Sequence, residues 1–125
     1  MNEILRNTLF SIPALTGIVF LVIGAVAAVY PAKRINRIVG YRTPRSMKSQ
    51  KAWEFAQVYS ARLMLKLSIC LLSVAAIGFA VGNIGILGAA LGFLSFIFAS
   101  GAVIILTERK LRALEVSSSG EVMQP

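Results

Sequence analysis

The chain has no histidine and no aspartate, and Cys70 is its single cysteine. Zinc sites built from Cys and His, and any disulfide within one chain, are thereby excluded. Ser/His/Asp and Cys/His nucleophile sets are excluded for the same reason. Acid is scarce: the carboxylate side chains are Glu3, Glu54, Glu108, Glu115 and Glu121. No two of them stand in sequence as a convincing pair for general acid–base work, so an enzyme is not expected. The Gly spacing and Gly-Lys-Ser/Thr ending of a phosphate-binding loop are missing too, and nothing in the composition implies a cofactor or a metal. Charge of either sign is thin, at 14% of residues, against about 25% in a soluble domain.

What the chain has is apolar length. It is 57% hydrophobic over 125 residues, with a mean hydropathy of +0.77. Leu9–Val29 is 21 residues without a charge, and Leu67–Leu106 is 40 residues without one. About 20 apolar residues suffice to cross a bilayer. Forty helical residues extend about 60 Å, twice the roughly 30 Å of hydrocarbon, so the second run must fold back on itself. Its turn chemistry lies at Gly82-Asn83-Ile84-Gly85. The expected fold is therefore an all-α integral membrane protein with three transmembrane helices, at about 9–29, 63–81 and 86–106. A basic loop and an interfacial helix (30–62) separate the first two. Residues 1–116 form one membrane domain, and the polar run from Ser117 to Pro125 reads as a disordered tail. Ala25-Val26-Ala27 resembles a signal-peptide cleavage site, but the run before it is longer than the usual core of about 7–15 residues. It reads as a retained helix.

The basic residues set an orientation. Lys33, Arg34, Arg37, Arg42, Arg45, Lys48, Lys51, Arg62 and Lys66 lie between spans one and two, and Arg109, Lys110 and Arg112 follow span three. The other side has Arg6 alone. The positive-inside rule places the loop and the C-terminus in the cytoplasm and the N-terminus outside. Most of the formal net charge of +8 thus becomes a topology signal. Direct nucleic-acid binding is not expected, because anionic headgroups compete for the same charges.

The loop itself is the informative segment. Gly40 supplies a joint, and Thr43-Pro44 disfavours helix at Thr43. Ser46 or Ser49 can cap a helix that starts near Lys48 and runs on into span two. Trp53, Ala56, Ser60, Leu63 and Leu67 share one face of it; Lys51, Phe55, Tyr59, Arg62 and Lys66 share another. Aromatic rings beside cations suit the headgroup layer, so Trp53 is expected as an interfacial anchor, with a packing wedge between the loop and the helix bundle as the alternative. Arg42 and Arg45 flank Thr43-Pro44 and can form an anion site for a phosphate headgroup or an acidic partner surface; the alternative is that they lie on anionic lipid as positive-inside residues. In the spans, Gly78-x-x-x-Gly82 and Gly88-x-x-x-Gly92 are close-packing patterns. They are read as packing within the bundle, with oligomerisation through the same faces as the alternative. The span interiors hold no ionisable residue except Lys66 near one end, which argues against ion-coupled transport.

Asn36, Gly40, Arg42-Thr43-Pro44 and Trp53, with Ser46 and Lys48 in register, resemble the signature of the SdpI family of small bacterial membrane proteins. The resemblance covers about residues 10–106. It implies a multi-pass protein of the bacterial cell membrane. The family's founding member is an immunity protein against a secreted killing peptide, and it also holds a winged-helix repressor at the membrane. The resemblance therefore implies a tolerance factor against a membrane-active peptide toxin. Anionic lipid headgroups, that toxin and such a repressor are the implied partners. This chain corresponds to the shared module without the founding member's additional helices, and it has Gln57 where relatives often have His. The competing reading is an accessory or structural membrane subunit, packed through its glycine faces on a larger partner.

Overall fold

The computed structural model describes residues 2–123, with the side chains of Leu5 and of residues 118–123 not described. Four helices follow one another: α1 (Asn2–Arg6), α2 (Thr8–Val29), α3 (Gln50–Val81) and α4 (Ile86–Met123). Among the described residues there is no strand. The three long helices are each apolar enough to cross a membrane, as the charge-free runs require. The interfacial helix is the N-terminal part of α3, continuous with the second span and capped by Ser49, whose hydroxyl accepts from the Ala52 N–H at 3.0 Å.

The turn between α3 and α4 sits at Gly82–Gly85. Gly82 (φ +86°) ends α3, and Gly85 (φ +63°) precedes α4; side chains rarely adopt either conformation. Asn83 closes the turn by accepting from the Gly85 N–H at 2.9 Å. A Cβ on Gly82 would meet nothing within 4 Å. Its role is to stop the helix, and it takes no part in the close packing expected of the Gly78/Gly82 pair. α4 runs on past Leu106 to Met123. The segment expected as a tail from Ser117 thus overlaps this helix, since propagating a formed helix costs far less than starting one. Residues 124–125 lie outside the described residues.

α2 packs along α3 and more sparingly on α4. At the turn side the contact is backbone to backbone. Pro13, inside α2, cannot donate to the carbonyl of Leu9 four residues before it. Gly78 lies against that carbonyl: a Cβ there would stand 2.5 Å from the Leu9 oxygen and 2.7 Å from its carbon. A Cβ on Gly92 would stand 2.7 Å from the Thr8 oxygen, and one on Gly88 3.4 Å from the Leu9 Cβ. Asn7 adds a buried polar tie, donating from Nδ2 to the Gly78 carbonyl at 2.9 Å while Oδ1 accepts from the Phe10 N–H. Towards the loop side, Phe20, Leu71, Ala99 and Val103 form one buried cluster, and Ala52, Ala56 and Leu111 another; Tyr41 packs on both. The outer faces carry exposed Leu15, Ile18, Val22, Phe93 and Phe98, as lipid contact demands.

Candidate functional site

Residues 30–49 leave α2 and fold over the ends of α3 and α4. The first tie is Trp53, which is 0% exposed. Its indole N–H donates to the Ala32 carbonyl at 2.7 Å, and Gln50 Nε2 donates to the next carbonyl, that of Lys33. Trp53 is therefore a packing wedge under the loop, the second of its two expected roles, and not the interfacial anchor. The loop carbonyl supplies the partner that a buried indole needs. Gln50 also reaches Glu54 at 3.1 Å, so Glu54 takes a neutral partner on its own helix face.

Asn36 organises the next turn from within. Its Oδ1 accepts from the N–H groups of Ile38 (2.9 Å) and Val39 (2.8 Å), and its Nδ2 donates to the Arg34 carbonyl. This is the local bonding that makes Asn a turn residue. Gly40 follows at φ +101°, pressed against Gln57 Oε1 so closely that a Cβ has no room. Gln57, itself 4% exposed, accepts from the Tyr41 N–H and donates to the Tyr41 carbonyl, both at 2.8 Å. One side-chain amide thus pairs with the backbone of one residue, much as a neighbouring strand does.

Thr43-Pro44-Arg45-Ser46 then forms a single turn. Pro44 takes a first-turn position where its missing N–H costs nothing. The Thr43 N–H donates to Ser46 Oγ at 2.9 Å, and the Ser46 N–H donates to Thr43 Oγ1 at 3.2 Å. That reciprocity leaves the Thr43 hydroxyl hydrogen free for Glu108 Oε1, 2.6 Å away on α4. The Tyr41 hydroxyl donates to the same oxygen at 2.8 Å. Arg45 Nη1 lies 3.5 Å from Glu108 Oε2, and Arg45 Nε lies 3.3 Å from Glu115 Oε2 without hydrogen-bond alignment. Lys48 completes the cluster, 3.1 Å from Glu115 Oε1. Burial, and then the bond to Glu108 and its charge, hold the Tyr41 phenol well above its ordinary pKa. It stays a donor across the physiological range.

Loop, α3 and α4 are thus held as one clasp. Gly40, Thr43 and Arg45 enter it; Asn36 and Pro44 shape the turns that feed it. Arg42 does not: it is exposed and has no acid partner among the described residues. Arg42 and Arg45 therefore do not converge on one anion, because Arg45 is committed to two glutamates. Tyr41, Glu108 and Glu115 were not singled out as site residues from the sequence. The available signal was two acids seven residues apart, hence on one face of α4, opposite a loop rich in cations.

No solved structure matches this chain. A relative from Bacillus subtilis (strain 168), the uncharacterized protein YfhL, is 35% identical, across 86% of this chain and 96% of its own length. The family described as the SdpI/YfhL protein family matches residues 33–108. That region begins at the carbonyl held by Gln50 and ends at the glutamate that closes the clasp, and the chain belongs to the SdpI/YfhL family.

Proposed function

We propose that this protein is a membrane-embedded tolerance factor against a membrane-active peptide, with its loop on the cytoplasmic side. The observation that supports this reading best is the clasp itself: Gly40, Tyr41, Thr43 and Arg45 are tied to α3 through Gln57 and to α4 through Glu108. On the opposite side the described chain offers only α1 and the Asn83–Ile84 turn. A toxin would therefore be met at or within the bilayer, on the apolar faces of α2 and α4. A peptide that binds one position of α4 better than another would shift the clasp with it, the differential affinity any such response requires. In the same reading the loop is where a cytoplasmic repressor would be held, through an acidic or apolar surface rather than its basic DNA-binding face.

The accessory-subunit reading loses its main support, because Gly78, Gly88 and Gly92 already face α2. The test is expression in a sensitive bacterium, followed by challenge with a membrane-active peptide encoded beside the gene or beside a relative's gene. Survival and membrane potential should be preserved by the native protein and less so by Glu108→Ala. Equal loss of potential with and without the protein overturns the proposal. A reporter fused at residue 48 that is active outside the cell overturns the orientation.

A further inference from the structure

The loop is pinned at Ala32–Lys33 and again at Tyr41, and the arch between these pins has an unusual surface. Ile38 is 84% exposed and Val39 62%. Arg34, Arg37 and Arg42 around them are exposed and have no acid partner among the described residues, whereas Arg45 and Lys48 nearby are neutralised by Glu108 and Glu115. Beneath the arch lie two adjoining hollows of about 240 and 260 Å³. They share Ile23 and Ala27 of α2, Gly40, and Gln57 of α3; Tyr30 and Val39 edge the first, and Val103 of α4 walls the second.

We propose that arch and hollows together bind one anionic phospholipid, with an acyl chain between α2 and α4 and the phosphate at Arg37 and Arg42. The polar side chains that α3 gives the hollow make no demand on a ligand. Both amide atoms of Gln57 are spent on Tyr41, and the Ser60 hydroxyl donates to the Gln57 carbonyl at 3.4 Å. What enters is therefore apolar, and its walls belong to helices whose outer faces meet hydrocarbon. The arch that covers it carries exposed guanidinium groups without acid partners among the described residues, which call for an anion, each adding to affinity for an anionic leaflet. An aliphatic tip as exposed as Ile38 is costly in water and favoured in an acyl layer. A soluble acidic protein would satisfy the arginines but leave both Ile38 and the hollow unfilled. This site holds whether or not the protein protects against a toxin.

The experiment is native mass spectrometry of the full chain released from detergent, with phosphatidylglycerol and phosphatidylcholine presented at equal concentration. The native protein should retain phosphatidylglycerol roughly thirtyfold over phosphatidylcholine, the order that two arginines at a membrane surface supply. Arg37→Gln/Arg42→Gln should lower retention of phosphatidylglycerol to that of phosphatidylcholine and leave retention of phosphatidylcholine unchanged. Ile23→Trp, at a half-exposed position lining both hollows, should reduce retention of both lipids while helicity by circular dichroism stays native. Equal retention of the two lipids by the native protein overturns the proposal, as does a preference that survives loss of both arginines. Retention of an added acidic peptide with no lipid overturns it too. The double arginine variant changes only exposed side chains, so the test stands even if Ile23→Trp fails to fold.

Discussion

The two ends of the bundle are joined by opposite means. At the turn end, glycines bring α3 and α4 against the first turn of α2, and Asn7 is the one side chain that adds a buried polar tie there among the described residues. At the loop end the ties are side-chain hydrogen bonds and ion pairs, through Trp53, Gln57, Thr43, Tyr41, Arg45 and Glu108. Backbone contact at van der Waals limits has no partial state: it fits or it clashes. Polar contacts at a membrane surface can exchange for water, one at a time and at modest cost. By this contrast the turn end is the stiffer joint, and the loop end is the one whose ties can be undone singly.

The comparison breaks most severely at Gly78. Gly78→Val places atoms against the Leu9 backbone, which cannot yield as a flexible side chain would. A loss of about 3 kcal/mol, the upper end for overpacking, is expected as a lower thermal midpoint in detergent. Gln57→Leu comes next, at about 2 kcal/mol, because the Tyr41 N–H and carbonyl both lose their partner. Hydrogen exchange should accelerate at Tyr41 and its neighbours and stay unchanged around Gly78. Glu108→Ala should cost somewhat less, about 1–2 kcal/mol, since the carboxylate is partly solvated; trypsin should then cut at Arg42 and Arg45 faster. If the two ends are independent, the losses from Gly78→Val and Glu108→Ala add. Trp53→Phe loses the bond to Ala32 and part of the indole's buried volume, about 1–2 kcal/mol together.

The smallest effect is that of pH. The Tyr41 pKa is raised by folding, so its contribution is complete below the unfolded phenol value of about 10 and is lost as pH rises beyond it. Comparing native protein with Tyr41→Phe, the stability difference should be flat from pH 6 to 9 (roughly the physiological window). It should shrink only in strong alkali. A difference that stays flat through strong alkali would place the phenol in water, with no shift to lose, and remove it from the clasp.

Much of the fold was legible because membrane crossing is a matter of length and charge. Forty uncharged residues cannot be one span, and Gly82-Asn83-Ile84-Gly85 was the place to fold them. The continuous helix from the loop into the second span follows from its apolar spacing, and Ser49 is one of the two serines placed to cap it. The loop was legible as a motif but not as a shape. Trp53 looks like an interface residue by type, and its burial depends on an Ala32 carbonyl 21 residues away. Glu108 looked like an isolated acid, because its partners lie 63 to 67 positions earlier and meet it only once three helices have packed. Asn7 is hidden for the same reason, since its carbonyl partner is 71 residues distant.

The amide of Gln57 has one more consequence. By gripping a single residue on both its N–H and its carbonyl, it sets the register of the whole loop at Tyr41, while Trp53 and Gln50 set it at Ala32 and Lys33. The segment between the pins, 34–39, answers only to the local bonds of Asn36. Chain length is thus free to change there without moving the clasp. Between Tyr41 and Ser46 a single inserted residue would carry Thr43 or Arg45 out of reach of α4.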